Sequence, residues 1–218
     1  MPGTNENRRE FLQRASLLTL AMPLIVNCRS AAADDPDILS VIRKNALSTE
    51  GPGQWNGAKD VPAEVSWRTV LSKNSDQGEQ MLISGTVFEP DGKTPAPNVL
   101  LYFYHTGIDG VYGKSGEHRH GRFRGWLLTD KQGRYEFQTI KPAPYPERRF
   151  AAHIHFTVTT KDLREDWIDS ILFEGDELIS RQERETAGRK GGFNPILKLE
   201  KGANGFWTAK RDIQLWNA

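Results

Sequence analysis

Residues 125–140 read Gly125-Trp126-Leu127-Leu128-Thr129-Asp130-Lys131-Gln132-Gly133-Arg134-Tyr135-Glu136-Phe137-Gln138-Thr139-Ile140. In the middle stands Asp-Lys-Gln-Gly, a turn sequence: aspartate bonds its own backbone a few residues on, and glycine accepts a left-handed φ. Beyond the turn, Tyr135, Phe137 and Thr139 alternate with Arg134, Glu136 and Gln138, the period of a strand with one face buried. The pattern predicts a β-hairpin over 125–140, and with it a fold of short strands.

Working outward, 81–88 ends in the turn residues Pro90-Asp91-Gly92, and 98–104 follows as another strand. After residue 140 the prolines at 142, 144 and 146 forbid ladder pairing, so 141–150 is a loop. It delivers the chain into Ala151-Ala152-His153-Ile154-His155-Phe156-Thr157-Val158-Thr159-Thr160. Residues 170–173 and 207–215 complete a set of closely spaced strands, which predicts an all-β antiparallel sandwich over 80–218. Residues 34–79 lack strand periodicity beyond a short helix signal at Ile38, Val41 and Ile42, preceded by Asp34, Asp35 and Asp37. They read as an irregular strap anchored by Trp55 and Trp67.

With 218 residues the chain has room for one domain with a sound core. The 29 basic and 28 acidic residues balance to +1, with no basic stripe, so nucleic acid is not an expected partner. A single cysteine rules out an intramolecular disulfide framework and thiolate-rich metal sites. Residues 1–33 resemble a twin-arginine export signal: Arg8-Arg9-Glu10-Phe11-Leu12, an apolar run at 17–26, then Ala31-Ala32-Ala33. Cys28 at the end of that run is either the lipid-attachment cysteine of a bacterial lipoprotein or an incidental thiol. Export places the mature protein in the periplasm, outside the cell or on a membrane.

His153 and His155 share one face of their strand and Ile154 and Phe156 the other. Two imidazoles so placed make either a half-exposed polar face or a pair of metal ligands, and a pair needs further donors. Glu147 and Asp162 are the nearest carboxylates on either side. Tyrosine is the other choice. Its phenol titrates at about 10 and becomes a phenolate at neutral pH only against a strongly acidic centre such as ferric iron. Tyr112, among glycines, and Tyr145, among prolines, sit in loops, whereas Tyr102, Tyr104 and Tyr135 lie within strands and are expected to pack. His118-Arg119-His120, in a polar glycine-flanked loop, reads as solvated surface, with a lid over the site as the alternative.

Several stretches stand in an order that resembles the intradiol ring-cleavage dioxygenases, particularly the protocatechuate and hydroxyquinol branch. They are Thr49-Glu50-Gly51-Pro52, Gly85-Thr86-Val87 with Asp91-Gly92, Gly110-Val111-Tyr112, Phe123-Arg124-Gly125, 129–137, 139–146, His153-Ile154-His155-Phe156 and Phe173-Glu174-Gly175-Asp176. The resemblance implies a prealbumin-like sandwich binding non-haem Fe(III) through Tyr112, Tyr145, His153 and His155. It further implies that a catecholic substrate displaces Tyr145, which then serves as a base, and that O2 opens the ring to a cis,cis-muconate-type product. Members of the family carry an arginine where this chain has Phe150, so Arg149 or Arg148 is expected to replace it. They carry a glutamine where it has Ser170. The strap has no counterpart of the family's helical dimerisation domain, so a monomer or a different assembly is expected. The rival reading is a non-catalytic prealbumin-like binding module, which shares the features from Gly85 to Tyr145 but has no need of Tyr112 with His153 and His155.

Overall fold

The computed structural model describes residues 37–46, 57–73, 75–113, 118–202 and 205–217. The export-like segment with Arg8, Arg9 and Cys28, the Thr49–Pro52 motif and Trp55 lie outside the described residues. In chain order the elements are α1 (Ile38–Lys44), β1 (Arg68–Val70), β2 (Gln80–Phe88), β3 (Leu100–His105), β4 (Arg124–Leu128) and β5 (Arg134–Ile140). They continue with β6 (His153–Thr159), β7 (Asp166–Phe173), α2 (Arg181–Thr186), β8 (Ile196–Leu197), β9 (Glu200–Lys201), β10 (Trp207–Lys210) and β11 (Ile213–Gln214). One sheet has the order β1-β5-β2-β10-β9, with β11 also on β2, and the other the order β4-β3-β6-β7-β8. No helix among the described residues is long and apolar enough to cross a membrane.

The core fills the space between the sheets. Met81, Ile83 and Val87 of β2 and Tyr135 and Phe137 of β5 meet Leu101 and Phe103 of β3 and Ile154, Phe156 and Val158 of β6. Phe103 sits against Phe137 and Phe156 with ring centroids 4.3 and 5.5 Å apart. Alternation then sends Leu100, Tyr102 and Tyr104, and likewise His153 and His155, to the outer face of the second sheet. The strap covers part of that face: Ile38 and Ile42 of α1 pack with Ala58 and Val61 on Leu100 and Leu128. Asp37 occupies the N-cap of α1 without a side-chain cap bond. β3 is consequently buried on both faces.

The strands stand close to where the sequence places them, but some pairings differ. β4 and β5 do not form a hairpin: β4 pairs with β3 in one sheet and β5 with β2 in the other. The turn between them crosses the sandwich because Gly133, at φ 68°, turns its carbonyl onto the Val87 amide of β2 at 2.8 Å. A side chain there would meet the Val87 carbonyl at 2.5 Å. The β2–β5, β3–β4, β3–β6 and β6–β7 pairs are antiparallel as expected, while β1, β8, β10 and β11 join by parallel pairings. β1 brings the end of the strap into the sandwich. The expected closing strand over 207–215 is split, because Arg211 bonds the Ser84 carbonyl and the Asp212 carboxylate takes the Thr86 amide at 2.9 Å.

His105 ends β3 fully buried. Its Nδ1 lies 2.7 Å from the Thr106 carbonyl, which can only accept, so Nε2 receives the Thr139 hydroxyl, also at 2.7 Å. The ring is held neutral, and burial pushes its pKa down to about 4 from 6.5. An unfolded chain takes up this proton as pH falls below 6.5 and the native chain resists it, so the contribution is whole above 6.5 and is lost between 6.5 and 4. His105 alone should take on the order of 3 kcal/mol from native stability across that window. Urea unfolding followed against pH checks this, with His105→Gln expected to flatten the profile.

Candidate metal centre

Two loops and one strand build the site. The loop after β3 places Tyr112, the proline-rich loop after β5 places Tyr145, and β6 places His153 and His155. The loops are stitched together: the Ala143 amide donates to the Gly107 carbonyl at 3.1 Å, and the Thr106 hydroxyl donates to the Ala143 carbonyl at 2.6 Å. The proline rings at 142, 144 and 146 fix φ and keep this segment out of a sheet, which holds Tyr145 over the end of β6.

Four ring atoms converge there. Tyr112 Oη lies 2.5 Å from Tyr145 Oη and 3.1 Å from His155 Nε2, and His155 Nε2 lies 3.0 Å from His153 Nε2. Ligands spaced around one ion at bond lengths of about 2.0–2.2 Å stand about 2.8–3.4 Å apart, so the set is close to a coordination cluster in size. Its tautomers suit that role. His153 Nδ1 is 2.6 Å from the Ala151 carbonyl and must donate to it, leaving Nε2 as a bare lone pair. Ser170 Oγ lies 3.3 Å from His155 Nδ1 and can hold that ring the same way. Burial and the neighbouring His153 and His120 push the His155 pKa down to about 3, so the imidazole is neutral. Burial, then the hydrogen bond it shares with Tyr145, pushes the Tyr112 phenol well above its usual range. A phenol so placed ionises only against a strongly acidic cation. Two imidazoles and two phenols therefore fit Fe(III) better than magnesium or calcium, which favour carboxylates and carbonyls. Among the described residues no group of three or more histidine, cysteine or carboxylate side chains could hold a metal, so neither Glu147 nor Asp162 completes the pair.

Tyr145, His153 and His155 also line a cavity of about 360 Å³, with Phe150, Leu172 and Pro195 as apolar wall. That volume is in the range of small-molecule sites. Tyr112 does not line it and instead borders a separate cavity with Gly107 and Phe123. Arg149 is exposed and is not brought into the cavity; Phe150 occupies that wall, and Arg148, at φ 50°, faces a different cavity beside Asp176 and Glu177. Ser170, in place of the expected glutamine, is at the site and touches His155. Losing its hydroxyl unfastens one ligand ring, so Ser170→Ala should lower metal affinity by about tenfold, near the lower end for such partners, as measured against a competing chelator.

Tyr102, Tyr104 and Tyr135 are buried as expected. His120 is not surface: it is 6% exposed, stacks on Tyr104 with centroids 3.6 Å apart, and its Nδ1 meets the Tyr102 hydroxyl at 2.7 Å. Tyr104 in turn packs on Tyr112 and His155, with centroids 5.4 and 4.7 Å away. Sequence reasoning missed this aromatic backing because its own loop is polar. It also missed α2, whose Glu183 and Thr186 line the cavity. The signal was present, for Ser180 and Glu183 form a capping box.

The dioxygenase family model matches residues 57–191, a span that contains all four converging residues. The chain belongs to the intradiol ring-cleavage dioxygenases. It is 32% identical to catechol 1,2-dioxygenase of Acinetobacter baylyi over 110 residues, 49% of this chain and 34% of the relative. It is 28% identical to hydroxyquinol 1,2-dioxygenase of Rhodococcus opacus over 196 residues, 82% of this chain and 59% of the relative. The chain thus covers from about a third to three fifths of these relatives' length. Among solved structures, 3-chlorocatechol 1,2-dioxygenase from Rhodococcus opacus shares the fold with a TM-score of 0.58 at 20% identity, over 82% of this chain and 76% of that one. The dioxygenase domain of a Streptomyces dioxygenase and carbohydrate-binding fusion matches with a TM-score of 0.54 at 24% identity, over 78% of this chain and 97% of that one.

Proposed function

We propose that the protein is a non-haem Fe(III) intradiol dioxygenase that opens the ring of a catechol-type aromatic with O2 to a cis,cis-muconate-type product. The observation behind this reading is the convergence of Tyr112, Tyr145, His153 and His155 to donor separations of 2.5–3.1 Å beside a cavity. Catechol, chlorocatechol and hydroxyquinol dioxygenases among the relatives support it. Bound by these residues, ferric iron supplies the Lewis acidity that ionises phenols and draws electron density from a chelating diol. The chain's own residues do the rest. His153 and His155 present lone pairs fixed by Ala151 and Ser170. Of the two tyrosines only Tyr145 faces the cavity, so an entering diol meets Tyr145 first, and its Oη is the atom placed to accept the diol's proton. Phe150, Leu172 and Pro195 give the ring an apolar wall to pack on. Export and lipidation at Cys28 belong to the same proposal on the sequence alone, and lipid labelling that depends on Cys28 tests them.

The full chain loaded with iron should show the visible charge-transfer band of tyrosinate on Fe(III), shifted by added catechol, and should consume O2 with catechol. Tyr112→Phe should weaken the band. Tyr135→Phe should leave it, since that hydroxyl donates to the Arg211 carbonyl across the core at 2.5 Å. A colourless protein holding stoichiometric iron would overturn the ligand set, and the non-catalytic module would then be the better reading.

A further inference from the structure

The cavity beside the four converging side chains has an unusual charge lining, and its origin lies in β7. Ile154 pairs with Ile171 and Phe156 with Ile168, so Asp169 and Ser170 together oppose the single residue His155. Such a bulge breaks the alternation of faces, which is how two successive side chains come to line one cavity. Glu183 from the first turn of α2 lines it as well.

Among the described residues, both carboxylates accept hydrogen bonds only from neutral donors. Asp169 takes the Lys190 amide at 3.2 Å, and Glu183 takes the Ser180 amide and hydroxyl at 2.7 and 2.6 Å. The ammonium of Lys190, whose amide Asp169 accepts, turns instead to Asp166 at 2.9 Å, and Arg181, close to Glu183 in sequence, pairs with Glu185 at 2.6 Å. No lysine or arginine is among the described residues lining the cavity, and Phe150 holds the wall beside Tyr145. Arg211, buried and electrostatically coupled to Asp169, offsets part of that carboxylate's charge without an ion pair, which leaves Glu183 the stronger field.

From this lining we infer that the cavity selects catechols whose ring substituent is cationic, such as an alkylammonium, over carboxylated ones, with neutral substituents between. The inference rests on the proposed dioxygenase function, since it assumes that the diol binds at Tyr145, His153 and His155. A carboxylated catechol entering here brings its charge against two carboxylates in a partly desolvated space and finds no arginine or lysine to receive it. An ammonium finds two.

The test is anaerobic titration of the iron-loaded full chain with dopamine, methylcatechol and protocatechuate, followed by the shift of the visible band. Dopamine should bind at least about tenfold more tightly than protocatechuate, methylcatechol should fall between, and the gap should narrow with added salt. Glu183→Gln and Asp169→Asn keep the hydrogen-bond acceptors that α2 and the bulge use, and each should shrink the gap, Glu183→Gln by more. Equal binding of the three, tighter binding of protocatechuate, or a gap unmoved by both variants overturns the inference alone. Failure of all three diols to shift the band overturns it together with the proposed function.

Discussion

His155→Ala is expected to leave a folded protein that retains little iron and cleaves catechol at least about a thousandfold more slowly, because removing one of the four proposed ligands forfeits several kcal/mol of charge stabilisation at the reacting oxygens. The residue is singled out by its place in the cluster. Its Nε2 is the atom in contact with both His153 and Tyr112, so it joins the strand residues of the site to the loop residues. Folding should survive. The backbone of His155 is paired opposite Tyr104 within the sheet, and the ring stands on the outer face rather than in the core between the sheets. The loss of a half-buried, neutral imidazole should cost about 1–3 kcal/mol. Iron per chain by elemental analysis, turnover by O2 uptake, and a denaturant midpoint distinguish the two effects. Retention of full iron and activity would remove His155 from the centre. Tyr104→Phe is the companion control: its ring backs His155 and stacks on His120, and phenylalanine keeps that packing.

The contrast between strand and loop explains what could be read from the sequence. Alternation at 81–88, 134–140 and 153–159 reports which face of a strand is buried, and those strands are present. Alternation says nothing about the partner, which is why 125–140 reads as a hairpin while β4 and β5 join opposite sheets. The tyrosines stood out because glycine and proline around Tyr112 and Tyr145 exclude a strand. Asp169 did not stand out, for its access to the cavity comes from a register shift between β6 and β7, a property of two strands together. His120 was misread for a related reason: Arg119 and the glycines around it mark a surface loop, and its burial is supplied by Tyr102 and Tyr104 from β3. Arg149 was chosen by nearness in sequence to Phe150, but successive residues of a loop need not face the same cavity, and these two do not.

Gly110→Ala should break the site from a position that touches no ligand ring. Gly110 is buried at φ 77°, and a Cβ there would stand 2.2 Å from the Pro144 carbonyl oxygen and 3.3 Å from Pro146 Cδ. Ordinary contact begins at 3.4 Å, so the two loops must separate by about an ångström at the point where one leads to Tyr112 and the other to Tyr145. Left-handed strain on alanine adds about 1–2 kcal/mol to the clash, and the whole change should cost about 2–4 kcal/mol. The consequence for function is larger than the loss of stability. The phenols now meet at 2.5 Å, and a shift of that size misplaces one of them for any ion held by the histidines. The tyrosinate band should therefore weaken sharply in protein that is still folded at low temperature. Gly175→Ala separates strain from clash, because Gly175 has φ 87° with nothing within 4 Å of its Cβ position. It should lose only the strain energy and keep the band. If Gly110→Ala binds iron with an undiminished band, the packing of these two loops is not what sets the distance between Tyr112 and Tyr145.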